Sequence, residues 1–141
     1  MSQANGGDLL ADVKKRGKLV ISTDANMKPL SFKNRDGSFE GFDVAVGREV
    51  AKRLGLQAEF ISVDFDMITA GGWNGRWDMN AGSTTLTPNR RRSLSFSSPY
   101  WYGPATFVVH KRSKTASVDE LKGRKIGDRR VRYCRIISST N

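Results

Sequence analysis

The chain has few of the residue types that mark disulfide-bonded, metal-binding or membrane-spanning proteins. It contains one cysteine, Cys134, among 141 residues, which excludes an internal disulfide and leaves the redox compartment open. Its single histidine, His110, has no cysteine or carboxylate close to it in sequence. We therefore expect no metal site and no catalytic role there. No apolar run approaches the roughly 20 residues that a membrane-spanning helix needs.

An N-terminal secretory signal is also missing. Residues 1–17 lack the apolar core of a signal peptide, so either the protein is cytoplasmic or its signal has been removed or replaced. The hydrophobic fraction of 38% and the 14 glycines suit one folded α/β domain with many loops, and not a disordered chain.

The net charge of +10 is concentrated near the C-terminus. Residues 1–110 contain 14 Lys/Arg and 11 Asp/Glu, whereas residues 111–141 contain 10 and 3. A basic tail can bind nucleic acid or an anionic membrane. Only one aromatic, Tyr133, lies within it, so we expect a solvated surface and no nucleic-acid partner. A nucleic-acid-binding module remains an alternative.

Turn and capping residues divide the chain into alternating helices and strands. The predicted strands are residues 18–23, 29–33, 57–63, 78–81 and 105–110, and the predicted helices are residues 8–16, 44–54 and 67–73. Asp36-Gly37 predicts a hairpin turn, and Asp43 is predicted to cap the helix that begins at residue 44. This alternation predicts an α/β fold with a largely parallel sheet that binds ligands at the carboxyl ends of its strands.

The stretch with the most chemistry is residues 82–103, GSTTLTPNRRRSLSFSSPYWYG. Hydroxyl side chains precede three consecutive arginines, Arg90 to Arg92, whose guanidinium groups match the geometry of a carboxylate or phosphate. Pro88 favours a turn or a first helical position, where backbone N–H groups face an anion. No group here is suited to breaking a bond, so the stretch predicts a site that holds a small acid.

Five segments in this order resemble the family 3 extracellular solute-binding proteins, which are the periplasmic amino-acid-binding proteins of ABC importers. They are residues 17–32, 37–56, 61–68, 73–91 and 94–111. The resemblance implies a type II periplasmic-binding-protein-like clamshell, with lobe 1 nearly complete and lobe 2 only begun. It implies a non-enzymatic, monomeric, periplasmic protein without a cofactor, which binds a polar amino acid and delivers it to a membrane permease.

The resemblance also implies five ligand-binding residues. Arg90 matches the arginine that pairs with the ligand's α-carboxylate. Thr85 matches the residue that assists it through its backbone N–H and hydroxyl, and the Ser83 carbonyl is expected to accept from the α-ammonium. Phe65 matches an aromatic that packs on the ligand, and Asp24 a polar residue that faces its side chain. Simpler roles stay open for these residues: a surface arginine, a helix cap, a core aromatic and an Asx-turn.

A few relatives of this fold are dehydratases, so a cyclohexadienyl or arogenate dehydratase-like enzyme is a further alternative. Such an enzyme needs a general acid or base in the cleft. Asp24 and Asp66 are the only candidates near the predicted site, and we expect no catalytic residue.

The expected organisation is an N-terminal segment (1–17), lobe 1 (18–108), a hinge exit with the start of lobe 2 (109–128), and an aberrant basic tail (129–141). One permitted choice of codons for residues 127–141, read one base later, encodes ATAGCGTAESYQAP, which resembles the family's lobe 2. We therefore hypothesise that the tail is translated out of frame and truncates the protein. Without lobe 2, we expect amino-acid binding to be absent or about millimolar at best.

Overall fold

The computed structural model describes residues 8–103, 106 and 108–123. The chain divides into two compact units, Met1–Phe96 and Ser97–Asn141. The elements in chain order are α1 (Leu9–Arg16), β1 (Lys18–Thr23), β2 (Asn26–Met27), β3 (Ser31–Lys33), β4 (Phe39–Glu40), α2 (Phe42–Arg53), β5 (Gln57–Ser62), α3 (Phe65–Thr69), β6 (Met79–Asn80), α4 (Pro88–Arg91) and a 3₁₀ turn (Asp119–Leu121). No helix within the described ranges is both long and apolar enough to span a bilayer.

A three-stranded parallel sheet forms the centre of the first unit and confirms the predicted α/β arrangement. Its order is β5-β1-β6, with Lys18 opposite Gln57 and Ile21 opposite Met79. The central strand β1 is rich in apolar and β-branched residues, as is typical of a parallel strand that is buried by neighbouring elements. Its Leu19 and Ile21 belong to the same buried cluster as Val13 of α1.

Helix α2 packs on this sheet, and its start differs from the prediction. Asp43 was predicted as the N-cap, but the helix begins at Phe42 and Gly41 is the N-cap residue. Gly41 has a φ of 121° and its backbone lies directly against the Leu30 carbonyl, where a Cβ would collide. The close approach selects glycine at the cap, and Asp43 is moved into the first helical turn, where it is fully buried.

A second, antiparallel sheet has the order β2-β3-β4. Its hairpin confirms the predicted turn: Gly37 has a φ of 90°, and Asp36 Oδ1 accepts hydrogen bonds from the Ser38 hydroxyl at 2.7 Å and the Ser38 N–H at 2.9 Å. These bonds, the hydroxyl's first, lower the pKa of Asp36 below its ordinary value.

An ion pair connects the end of α1 to the residue before β6. Asp78 accepts from the Arg16 guanidinium, and its Oδ2 also accepts from the Val20 N–H at 2.8 Å. The Asp78 side chain is only 3% exposed, so this carboxylate is a buried link between α1, β1 and β6. Gly17 ends α1 in the left-handed conformation, as its position after the basic last turn predicts.

Two predicted elements are wrong in extent or type. The helix predicted over 67–73 is α3, Phe65–Thr69, because Gly71 and Gly72 with φ of 71° and 63° end it early. The strand predicted over 105–110 is absent from the described residues of that range, 106 and 108–110. A strand needs a neighbour to satisfy its backbone, and none of those residues is paired. The predicted tail, 129–141, lies outside the described residues, and the lobe boundaries stay predictions.

Candidate functional site

The carboxyl ends of β1, β5 and β6 meet at one edge of the parallel sheet. Asp24 follows β1, Phe65 opens α3 shortly after β5, and residues 81–87 lead from β6 to α4. All five residues predicted for the ligand site therefore lie on segments that leave this edge. It is the position at which α/β sheets bind their ligands.

Arg90 is held by two direct contacts with other predicted site residues. Its Nη1 donates a 2.8 Å hydrogen bond to the Thr85 carbonyl, and its Cζ lies 4.8 Å from the centre of the Phe65 ring. The backbone N–H of Arg90 donates to the Thr87 hydroxyl, which caps α4. The side chain is half-buried, whereas Arg91 and Arg92 are exposed, so the structure separates Arg90 from its neighbours.

Both of these contacts of the Arg90 guanidinium are with uncharged groups. The ion pairs of the described residues involve Arg16, Lys18, Arg53 and Lys122 as cations, and not Arg90. A guanidinium has five N–H donors in a planar fork, of which the Thr85 carbonyl engages one. The aromatic ring stabilises the positive charge without neutralising it. This arrangement suits a small carboxylate, because a carboxylate would supply a negative charge opposite Arg90 and acceptors for its other N–H donors.

Ser83 makes its side-chain contact with a residue that sequence reasoning assigned another role. Its hydroxyl lies 2.8 and 2.9 Å from the two carboxylate oxygens of Asp43. Ser83 also has a φ of 51°, in the left-handed region. The hydroxyl therefore binds Asp43, and the predicted role of Ser83 concerns its backbone carbonyl. The contact spans 40 residues and leaves no local signal in the sequence.

Asp24 adopts the Asx-turn that was left open as its simpler role. Its Oδ1 accepts the Asn26 N–H at 2.6 Å. A further polar network supports the adjoining strand ends: Asn80 donates to Ser22 and accepts from the Thr84 hydroxyl at 2.9 Å. Sequence reasoning missed Asn80 and Thr84, because both act through contacts between strand ends. Among the described residues, no group of three or more His, Cys, Asp or Glu side chains is placed to hold a metal ion.

The fold defines a class: an α/β lobe whose predicted site residues gather at the carboxyl ends of a parallel sheet. The chain belongs to the bacterial extracellular solute-binding proteins, family 3, whose model matches residues 19–131. It is 34% identical over 123 residues to a probable amino-acid ABC transporter-binding protein of Haemophilus influenzae, covering 86% of this chain and 48% of the relative. It is 31% identical over 121 residues to the L-cystine-binding protein TcyJ of Escherichia coli, covering 84% and 46%.

Solved structures agree with this fold. The ancestral amino acid-binding protein AncCDT-1, described as a precursor of cyclohexadienyl dehydratase, matches with a TM-score of 0.64 at 37% identity, over 67% of this chain and 42% of that one. The arginine-bound form of domain 1 from TmArgBP matches with a TM-score of 0.59 at 30% identity, over 64% and 71%. The predicted family and the α/β periplasmic-binding-protein fold are confirmed. The chain spans about half the length of the two relatives, 48% and 46%.

Proposed function

We propose that this chain contributes the amino-acid-binding lobe of the solute-binding component of an ABC importer, and that Arg90 binds the ligand's α-carboxylate. The observation that carries this proposal is the half-buried Arg90 guanidinium, oriented by the Thr85 carbonyl and the Phe65 ring and without a carboxylate partner among the described residues. In this proposal the loaded protein delivers its ligand to a membrane permease. Monomeric state and the lack of a nucleic-acid partner stay predictions.

The other predicted residues surround this contact in different ways. Because the Thr85 carbonyl holds Arg90, its N–H and hydroxyl are the groups left for the ligand. The Ser83 carbonyl is proposed to accept from the α-ammonium, which the tie of its side chain to Asp43 does not prevent. Phe65 is proposed to contact the ligand beside Arg90, and Asp24 to face the ligand's side chain from the end of β1.

A binding protein is favoured over an enzyme on the same fold. The two relatives carry the names of binding proteins. Among the solved structures, AncCDT-1 is described as an amino acid-binding protein, whereas AncCDT-3(P188L), 30% identical and covering 72% of this chain, is an ancestral cyclohexadienyl dehydratase. A dehydratase would also need a general acid or base near the substrate. Asp24, one of the two candidates, already accepts a backbone hydrogen bond in an Asx-turn.

The decisive experiment compares amino acids with their amides. Nuclear magnetic resonance titrations measure dissociation constants into the millimolar range, where we expect this chain to bind. Argininamide keeps the α-ammonium and side chain of arginine but lacks the carboxylate charge. We expect arginine to bind at least about tenfold more tightly, since one hydrogen bond between charged groups contributes about 1.5–3 kcal/mol.

Arg90→Lys keeps the positive charge but loses the planar fork, so it should weaken arginine binding and reduce the preference for arginine over its amide. The matched control is Arg91→Lys, at the exposed neighbouring position, which should leave the discrimination unchanged. Equal binding of acid and amide by the unmodified chain would refute the carboxylate role. Micromolar binding would refute the expectation of weak binding. The arginine-bound form of domain 1 from TmArgBP supports carrying out the test on this chain alone.

A further inference from the structure

The loop that leads from β6 to Arg90 is tied to α2 by a buried carboxylate. Asp43 is 0% exposed, and the Ser83 hydroxyl points between its two oxygens at 2.8 and 2.9 Å. A hydroxyl has one proton, so the two distances describe one hydrogen bond shared by both oxygens. Because the acceptor is a buried carboxylate, this bond is of the stronger, charge-assisted kind.

The backbone at Ser83 requires such a tie. Its φ of 51° lies in the left-handed region, which costs a residue with a Cβ some free energy and persists where surrounding contacts enforce it. The neighbouring residues are tied as well: Ala81 pairs with β1, since its carbonyl accepts the Thr23 hydroxyl at 2.6 Å, and the Thr84 hydroxyl binds Asn80. The Ser83 bond ties this loop to α2.

Asp43 is itself a fixed anchor. Its N–H donates to the Leu30 carbonyl at 2.8 Å, and the preceding Phe42 N–H donates to the Pro29 carbonyl at 3.2 Å. It also lies in the first turn of a 12-residue helix, where the helix dipole favours a negative charge. A displacement of Ser83 would therefore have to break a bond to a group that does not move with it.

We propose that Asp43 is a positioning residue for the ligand site. It holds Ser83 in its left-handed conformation and thereby places the backbone of residues 83–85, whose Thr85 carbonyl orients Arg90. Asp43 does not touch the ligand in this scheme. It preorganises the loop, so that binding need not order it. This inference rests on the proposed carboxylate role of Arg90.

The test uses Ser83→Ala and Ser83→Gly, with Ser95→Ala as an exposed hydroxyl-removal control. Glycine adopts a positive φ without strain, so Ser83→Gly removes the hydrogen bond while relieving the backbone. The readout is the arginine-to-argininamide affinity ratio, together with the amide chemical shifts of residues 84–90 in the ligand-free chain. We expect both Ser83 variants to reduce the ratio by about tenfold, the equivalent of one charge-assisted hydrogen bond, and to shift those amides. Ser95→Ala should do neither.

Asp43 is tested by repeating Ser83→Ala in an Asp43→Asn background. A neutral acceptor makes a weaker bond. In the Asp43→Asn background, Ser83→Ala should therefore reduce the arginine-to-argininamide affinity ratio by a smaller factor. The inference would be overturned if Ser83→Gly kept the affinity ratio of the unmodified chain. It would also be overturned if Ser83→Ala reduced the ratio by the same factor in both backgrounds. If the unmodified chain does not discriminate at all, the carboxylate role of Arg90 fails. In that case the amide chemical shifts of residues 84–90 alone test the positioning role. If the Ser83 variants change these shifts no more than Ser95→Ala does, the positioning role is overturned.

Discussion

Gly47 is the position at which packing of α2 on the sheet can be measured against helix propensity. A Cβ at this residue would lie 3.1 Å from Ile21 Cδ1 and 3.1 Å from Phe60 Cε1, closer than ordinary van der Waals contact. Ile21 is fully buried and has no room to retreat. Phe60 is half-buried, and its ring packs on Phe39 with 6.2 Å between the centres.

Two opposing terms set the stability of Gly47→Ala. Alanine gains about 1 kcal/mol over glycine inside a helix, whereas overpacking a well-filled core costs about 1–3 kcal/mol. Since both neighbours of the new methyl group are themselves packed, we expect the steric cost to win. The variant should lose about 1 kcal/mol of unfolding free energy by the difference of those terms.

Urea unfolding followed by circular dichroism gives this free energy from the midpoint and slope. Ala45→Gly, at an exposed site of the same helix, measures the propensity term alone and should cost about 1 kcal/mol. Adding this cost to the loss measured for Gly47→Ala isolates the steric term. If Gly47→Ala is more stable than the unmodified chain by as much as Ala45→Gly is less stable, the steric term is zero and the packing described here is incorrect.

Two further predictions concern carboxylates outside the ligand site. Asp78→Asn should lower the unfolding free energy by about 1.5–3 kcal/mol, the range for hydrogen bonds to charged groups. The reason is that the buried Asp78 accepts from Arg16 and from the Val20 N–H. An unchanged urea midpoint would contradict this prediction. The pKa of Asp36 is lowered by its bonds to Ser38, so its stabilising contribution is present above the unfolded pKa and is lost as the pH falls through the folded pKa. Ser38→Ala should raise the Asp36 pKa towards its ordinary value in a pH titration followed by nuclear magnetic resonance. An unaltered pKa would show that the Ser38 hydroxyl is not the main cause of the lowering.

The elements that sequence patterns predicted well are those set by local chemistry. β1 has the bounds predicted from its β-branched run, and the Asp36-Gly37 turn forms the predicted hairpin. The grouping of Thr85, Phe65 and Arg90 followed from family resemblance, and Thr85 and Arg90 are close enough in sequence for a direct contact. For β1, the turn and the Thr85–Arg90 contact, the signal lies within a few residues of its effect.

Asp43 shows why the rest could not be predicted. An aspartate before an apolar helical stripe is a normal N-cap signal, yet the helix begins two residues earlier because Gly41 packs against the Leu30 carbonyl. The buried contact with Ser83 bridges 40 positions and depends on how α2 and the β6–α4 loop meet on the folded sheet. In the described residues of 105–110 the predicted strand is absent for a related reason, because an apolar run specifies a strand only when a partner is present.

The choice of ligand is a separate question from the carboxylate contact. One relative is named for cystine and one solved neighbour is an arginine-bound form, yet they are 31% and 30% identical to this chain. Overall similarity therefore does not select between such side chains. An α-carboxylate is common to every amino acid, so Arg90 with Thr85 would recognise the class and not the member. Discrimination has to come from groups that contact the rest of the ligand. In the first unit, Asp24 is proposed to face the ligand's side chain and Phe65 to pack on the ligand. Variants at these two residues should alter which amino acid is preferred, whereas variants at Arg90 should weaken all of them alike.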